Sequence, residues 1–145
     1  MKATIDTNVL IYFLEESPKF YPECHRLFSL IRQGDLSCFL SVLTISEICV
    51  KPVSLGDEKL ATEYYNLLTS AKNVSVVPVT PEISYRAALI RGIRPVTLLD
   101  ALHIATASST ASTFFVTFDG DLLKLDKVED VKLISPSELL ESFKT

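Results

Sequence analysis

Five short runs rich in β-branched and aromatic residues punctuate the chain: KATI (2–5), SCFLS (37–41), VSVVPV (74–79), TFFVT (113–117) and VKLIS (131–135). Longer stretches with helical periodicity separate them, at 8–16, 22–33, 44–50, 58–72, 81–91 and 98–109, and one more follows at 136–143. Strands separated by helices pair in parallel, and a parallel sheet needs cover on both faces. The pattern predicts an α/β fold with three layers, α/β/α, around a central, mainly parallel sheet of about five strands. Boundary signals agree: Thr80 before Pro81 reads as an N-cap, and Ser135 before Pro136, with Glu138 three residues on, reads as a capping box. No repeat or low-complexity tract interrupts the pattern, so residues 1–145 read as a single domain.

At 145 residues, such a domain buries about 68–70% of its unfolded surface and needs no covalent staples. The net charge of −4 and a pI near 5.2 argue against a broad basic surface for nucleic acid, although bound cations would reverse the sign of an acidic pocket. Cys24, Cys38 and Cys49 have the spacing of neither a disulfide framework nor a structural zinc site, and read as small reduced core residues, which implies a cytoplasmic protein. The early apolar run, Val9 to Leu14, is too short for a signal peptide or a membrane span.

Four acids stand where a parallel sheet presents ligands, outside the carboxyl ends of its strands. Asp6 ends the first strand, although Asp6 or Thr7 also suits as cap of a helix beginning near Val9. Asp119 follows the fourth strand, with Asp121 two residues later. Asp100 lies in the first turn of a helix that is apolar nearly all round, where Thr97 as N-cap with Asp100 at N3 gives it a structural role as well. Glu47, after the second strand, sits in TISE, which matches a capping box with Thr44 as N-cap.

Four carboxylates in one pocket cannot all stay ionised unaided, since two unit charges at 4 Å repel by about 4 kcal/mol at an effective dielectric of 20. Either their proton affinities rise or a cation resides among them. Oxygen ligands without cysteine point to Mg²⁺ or Mn²⁺, ions that serve phosphodiester chemistry.

In order and spacing, IDTNVLI (5–11), LSVLTISEI (40–48), LLDALHIATA (98–107), FVTFDGDLL (115–123) and VKLISPSELL (131–140) resemble the PIN-domain nucleases, most closely the VapC-type ribonuclease toxins of toxin–antitoxin pairs. The resemblance implies a PIN-like fold and a Mg²⁺- or Mn²⁺-dependent endoribonuclease acting on mostly single-stranded RNA, with Asp6, Glu47, Asp100 and Asp119 as catalytic metal ligands. Asp121 matches an acid that ligates through water or caps a short helix, and Thr7, Asn8 and Thr117 match the family's supporting polar residues. Leu122 stands where an aromatic is more usual. A homodimer and a cognate antitoxin covering the acidic pocket are further implications, and no membrane partner is expected. Lys51, Arg86, Arg91 and Arg94 are candidate phosphate contacts or plain surface charges.

His103, three residues after Asp100, reads as a buried or boundary histidine making one ordinary hydrogen bond, and the adjacent Cys24 and His25 are poorly placed to share a site. Three other functions stay open: an RNA-processing nuclease of the same fold, a non-catalytic module, and a haloacid-dehalogenase-like phosphatase built on Asp6 and GDLLKLD (120–126). The last leaves Glu47 and Asp100 unused.

Overall fold

The computed structural model describes residues 1–144. In chain order its elements are β1 (Lys2–Ile5), α1 (Thr7–Leu14), α2 (Tyr21–Gln33), β2 (Ser37–Ser41), α3 (Leu43–Ser54), α4 (Glu58–Ser70), β3 (Val74–Val77), α5 (Pro81–Ile93), α6 (Leu98–Ser109), β4 (Phe114–Val116), α7 (Gly120–Leu123), β5 (Lys127–Val128), β6 (Val131–Ile134) and α8 (Pro136–Glu141). The strands form one sheet in the order β3-β2-β1-β4-β6-β5. All pairings are parallel except that of β5 with β6.

The sheet thus has six strands where about five were expected. The addition is β5, two residues paired antiparallel through Lys127↔Lys132 and Val128↔Val131. A segment this short carries no readable alternation, and it exists because Val128 and Val131 bury their side chains together.

Alternation along each strand feeds two cores. Ala3, Ile5, Val116 and Ile134 face one side, packed with Val9, Leu10, Leu27, Ile31 and Leu139 from α1, α2 and α8. Phe115 and Leu133 face the other, against Ile83, Ala87 and Ile90 of α5 and Ala101, Ile104 and Ala105 of α6. Both expected cap motifs form: the Thr80 hydroxyl accepts from the Ile83 N–H, and Ser135 and Glu138 make a reciprocal capping box. Cys24 and Cys38 are buried, Cys49 is half-buried, and all three are free thiols. Among the described residues no helix is long and apolar enough to cross a membrane.

The chain builds outward from β1 to β2 to β3, then returns to place β4 on the other flank of β1. The carboxyl ends of β1 and β4 therefore diverge into connections that leave in opposite directions, which opens a crevice between them. Phe115 lies in β4, an interior strand between β1 and β6, and is fully buried. Its replacement by Ala is expected to lower the unfolding free energy by about 3–5 kcal/mol, read from urea denaturation with an unchanged m-value.

Candidate active site

The crevice is built on Asp6. Its backbone N–H donates to the Val116 carbonyl at 2.9 Å, continuing the β1–β4 ladder one step before the chain turns into α1. The Asp6 side chain caps that helix, with Oδ1 accepting the Thr7 N–H at 2.8 Å. Oδ2 accepts the Thr117 hydroxyl at 2.7 Å and the Asn8 amide at 3.3 Å. The structural role and the placement in the crevice are therefore the same placement.

Asn8 and Thr117 lock the β4 side. The Asn8 amide nitrogen also reaches Thr117 Oγ1 at 3.2 Å, while its carbonyl oxygen accepts the Phe118 N–H at 3.2 Å. Thr117 Oγ1 accepts the Asp119 N–H at 3.0 Å. Phe118 is wedged against Tyr12 and Phe20, with ring centroids 5.3 and 4.5 Å away. Asp119 follows and caps α7, Oδ1 accepting from the Asp121 and Leu122 N–H groups. The cap of the short helix is thus Asp119. Asp121 lies in its first turn with a side chain 94% exposed, 3.7 Å from Lys124 Nζ. Leu122, in the position where an aromatic is more usual, is buried in the α5–α6 core.

The other two acids arrive on helices. Asp100 is half-buried in the first turn of α6, where the Thr97 hydroxyl accepts its N–H at 3.1 Å. Glu47 departs from the expected capping box. Helix α3 starts at Leu43 after Val42, so Thr44 is inside the helix and fully buried rather than at its N-cap. The hydroxyl of Thr44 instead meets that of Thr7 at 2.9 Å, and Thr7 donates to Glu47 Oε1 at 2.9 Å. The helix also continues past the expected end at 50, carrying a buried Pro52 before it stops at Ser54.

His103 is the residue whose place the sequence did not reveal. It makes one hydrogen bond, as read, but the partner is Glu47 Oε1 at 2.7 Å from Nε2, 56 positions away. Its ring is 1% exposed, and among the described residues Nδ1 has no partner. The local signal, a histidine one turn after Asp100, could not name an acid on another helix.

Proton affinities register the convergence. Burial pushes the Asp6 carboxyl up to about 6, with the Asp100 charge adding to the rise and Thr117 and His103 opposing it. Burial, with the charges of Asp119 and Glu47, also raises Asp100. Burial would raise Glu47 too, but the hydrogen bond and charge of His103 and the Thr7 hydroxyl outweigh it and leave it lowered. Burial disfavours a charged His103, yet the Glu47 bond and the charges of Asp6, Glu47 and Asp100 prevail and raise it. Asp6, Glu47, Asp100, Asp119 and His103 therefore share one field, in which four acids surround one histidine.

The family model for the PIN domain matches residues 3–128. The chain belongs to the PIN-domain family. Its fold is similar to a chain of the DNA-bound VapBC complex of Salmonella typhimurium (18% identity, 94% of this chain and 98% of that chain, TM-score 0.70). It is likewise similar to the sarcin–ricin-loop-cleaving VapC toxin of Mycobacterium tuberculosis (18% identity, 90% and 98%, TM-score 0.68). A protein of Pyrobaculum aerophilum is similar over 98% of this chain and 88% of its own, at 23% identity and a TM-score of 0.60. No curated protein matches the sequence.

This PIN domain offers a divalent ion only oxygen ligands on its acids, at a point of excess negative charge, which fits Mg²⁺ or Mn²⁺ in kind. Among the described residues, no three His, Cys, Asp or Glu side chains already stand close enough together to hold a metal ion, so the fit is that of the oxygen donor set alone. Asp100, Asp119 and Glu47 are partly exposed. Of the candidate phosphate contacts, Lys51 pairs with Glu15, Arg86 with Glu129 and Ser108, and Arg94 with the Lys127 carbonyl, while Arg91 is exposed.

The raised affinity of Asp6 has a signed consequence. The folded chain keeps this proton up to about pH 6, whereas the unfolded chain releases it near the ordinary 3.8. Between those values the folded state binds more protons, so the Asp6 contribution to stability falls as pH rises, by about 3 kcal/mol in all. The neutral Asp6→Asn variant should therefore gain on wild type as the pH goes from 4 to 7, measured by urea denaturation in chelator. Parallel pH profiles for the two proteins would show that Asp6 ionises freely.

Proposed function

We propose that the chain is a single-domain, metal-dependent endoribonuclease hydrolysing phosphodiester bonds of mostly single-stranded RNA, and the cytoplasmic toxin of a type II toxin–antitoxin pair. One observation carries the reading: four acids from four separate segments stand about the crevice beside β1 and β4 in one electrostatic field. Capping accounts for Asp6 and Asp119 singly, and not for the arrival of Asp100 and Glu47 beside them.

Mg²⁺ or Mn²⁺ held by Asp6, Glu47, Asp100 and Asp119 would supply an activated water and neutralise charge developing on phosphate oxygens. The chain's own residues do the positioning. Asp6 is fixed by Thr7, Asn8 and Thr117, and Asp119 by its cap geometry. Without a bound cation the acids would repel an RNA backbone. Asp121, whose side chain is 94% exposed beside Lys124, would act on the cation through water.

An antitoxin partner is supported by an apolar groove of about 360 Å³ between α1, α2 and α4, lined by Leu10, Phe13, Phe28, Leu67 and Leu68 among others. A homodimer is supported by the exposed apolar side chains Tyr85, Leu89 and Ile93 along α5. The PIN match displaces the phosphatase reading.

Glu47→Gln and Asp100→Asn should each reduce cleavage of a single-stranded RNA pool at least about 100-fold while staying folded by circular dichroism. Residues that merely cap helices would leave turnover of folded protein intact and cost about 0.5–2 kcal/mol of stability when replaced by Ala.

Expression of wild type in a bacterial host should arrest growth, and Asp6→Asn at equal soluble level should not. Co-expression of the neighbouring small open reading frame should restore growth. Cleavage in vitro without arrest would make the chain an RNA-processing nuclease of the same fold.

A further inference from the structure

A buried histidine with an unpaired ring nitrogen needs a reason, because an aliphatic side chain at the same place on α6 would pack without leaving Nδ1 unsatisfied. The reason lies at the other nitrogen. Nε2 meets Glu47 Oε1 at 2.7 Å, and the same oxygen accepts the Thr7 hydroxyl at 2.9 Å. Thr7 has one hydroxyl proton and gives it to Glu47, so the contact of its oxygen with Thr44 at 2.9 Å must run the other way, Thr44 donating. The result is a directed chain, from Thr44 to Thr7 to Glu47 Oε1, met from the far side by His103. Thr44, Thr7 and His103 are 0%, 3% and 1% exposed, so water does not compete with any of the donors.

The asymmetry is what matters. Both donors land on Oε1, and among the described residues none is given to Oε2. Turning the carboxylate would break two hydrogen bonds to a charged group at once, which are the strong kind. Glu47 therefore presents one free oxygen in one direction, although it rides on α3 while its restraints come from α1 and α6.

We propose that His103, directly, and Thr44, by fixing the Thr7 hydroxyl, are positioning residues that keep Glu47 Oε1 saturated and so leave Oε2 for a divalent cation in the acidic crevice. The inference rests on the metal-nuclease reading above. It assigns a task to a histidine that touches neither substrate nor metal, and to a threonine two hydrogen bonds removed from Glu47.

The test is calorimetric titration of the metal-free full chain with Mn²⁺ alone. His103→Leu removes one restraint, and His103→Gln replaces the imidazole with an amide donor. Thr44→Val deletes the hydroxyl that fixes Thr7 while keeping its shape, so it serves even where a change at 103 perturbs folding. His103→Leu should weaken Mn²⁺ binding about 10- to 100-fold, Thr44→Val less, and His103→Gln should recover part of the loss. In a Glu47→Gln background the change at 103 should weaken Mn²⁺ no further, because it acts through Glu47. Unchanged Mn²⁺ affinity in folded His103→Leu and Thr44→Val, or an equal loss at 103 with and without Glu47, overturns the positioning role and leaves the nuclease reading intact. A wild type that takes up no Mn²⁺ overturns both.

Discussion

One desolvated carboxylate organises the crevice. Asp6 stands where β1 stops, 7% exposed, its two oxygens filled by Thr7, Asn8 and Thr117. Those hydrogen bonds hold three pieces of chain in register: the end of β1, the first turn of α1 and the segment after β4. Because the site for Asp6 is dry, charge there costs more than in water, and the carboxyl responds by holding its proton up to about 6. Neighbouring charges act on it through the same dry medium. Asp100 raises it and His103 lowers it, so α6 and the end of β1, far apart in sequence, are joined electrostatically.

The rest of the architecture serves that placement. The order β3-β2-β1-β4-β6-β5 puts β1 and β4 side by side with their connections leaving in opposite directions. Their carboxyl ends thereby face a common opening. Helix α6, packed on α5 and on the sheet, brings Asp100 and His103 to the same edge, and α3 brings Glu47. Helix starts supply the acids with backbone donors: Asp6 and Asp119 are both N-caps, a position that favours negative charge. The capping role and the placement beside the crevice coincide at these residues, which is why local sequence motifs at each of them look ordinary.

How much of this the sequence showed follows from how local the cause is. The caps at Thr80 and Ser135 depend on residues within three positions, and both were readable. The parallel layers followed from strand and helix alternation, and Asp6 and Asp119 from their place after strands. Thr44 misled because the TISE pattern fits a cap, while the true start of α3 is set by where β2 ends and by the burial of Thr44 against Thr7. Strand β5 exists only through its pairing with β6. His103 shows the limit most clearly. A single buried hydrogen bond was legible from its setting, but its partner on α3 is fixed by how α3 and α6 meet over the sheet, and no spacing rule encodes that.

The central claim is that the acids about this crevice form one cation site. It is tested most directly by a crystal structure of the wild type soaked in Mn²⁺, with anomalous difference density measured at the manganese edge. The account predicts a peak bounded by Asp6, Asp100 and Asp119, with Glu47 directed toward it. Saturating Mn²⁺ with no anomalous peak in the crevice, and Asp6 still held only by Thr7, Asn8 and Thr117, would contradict it.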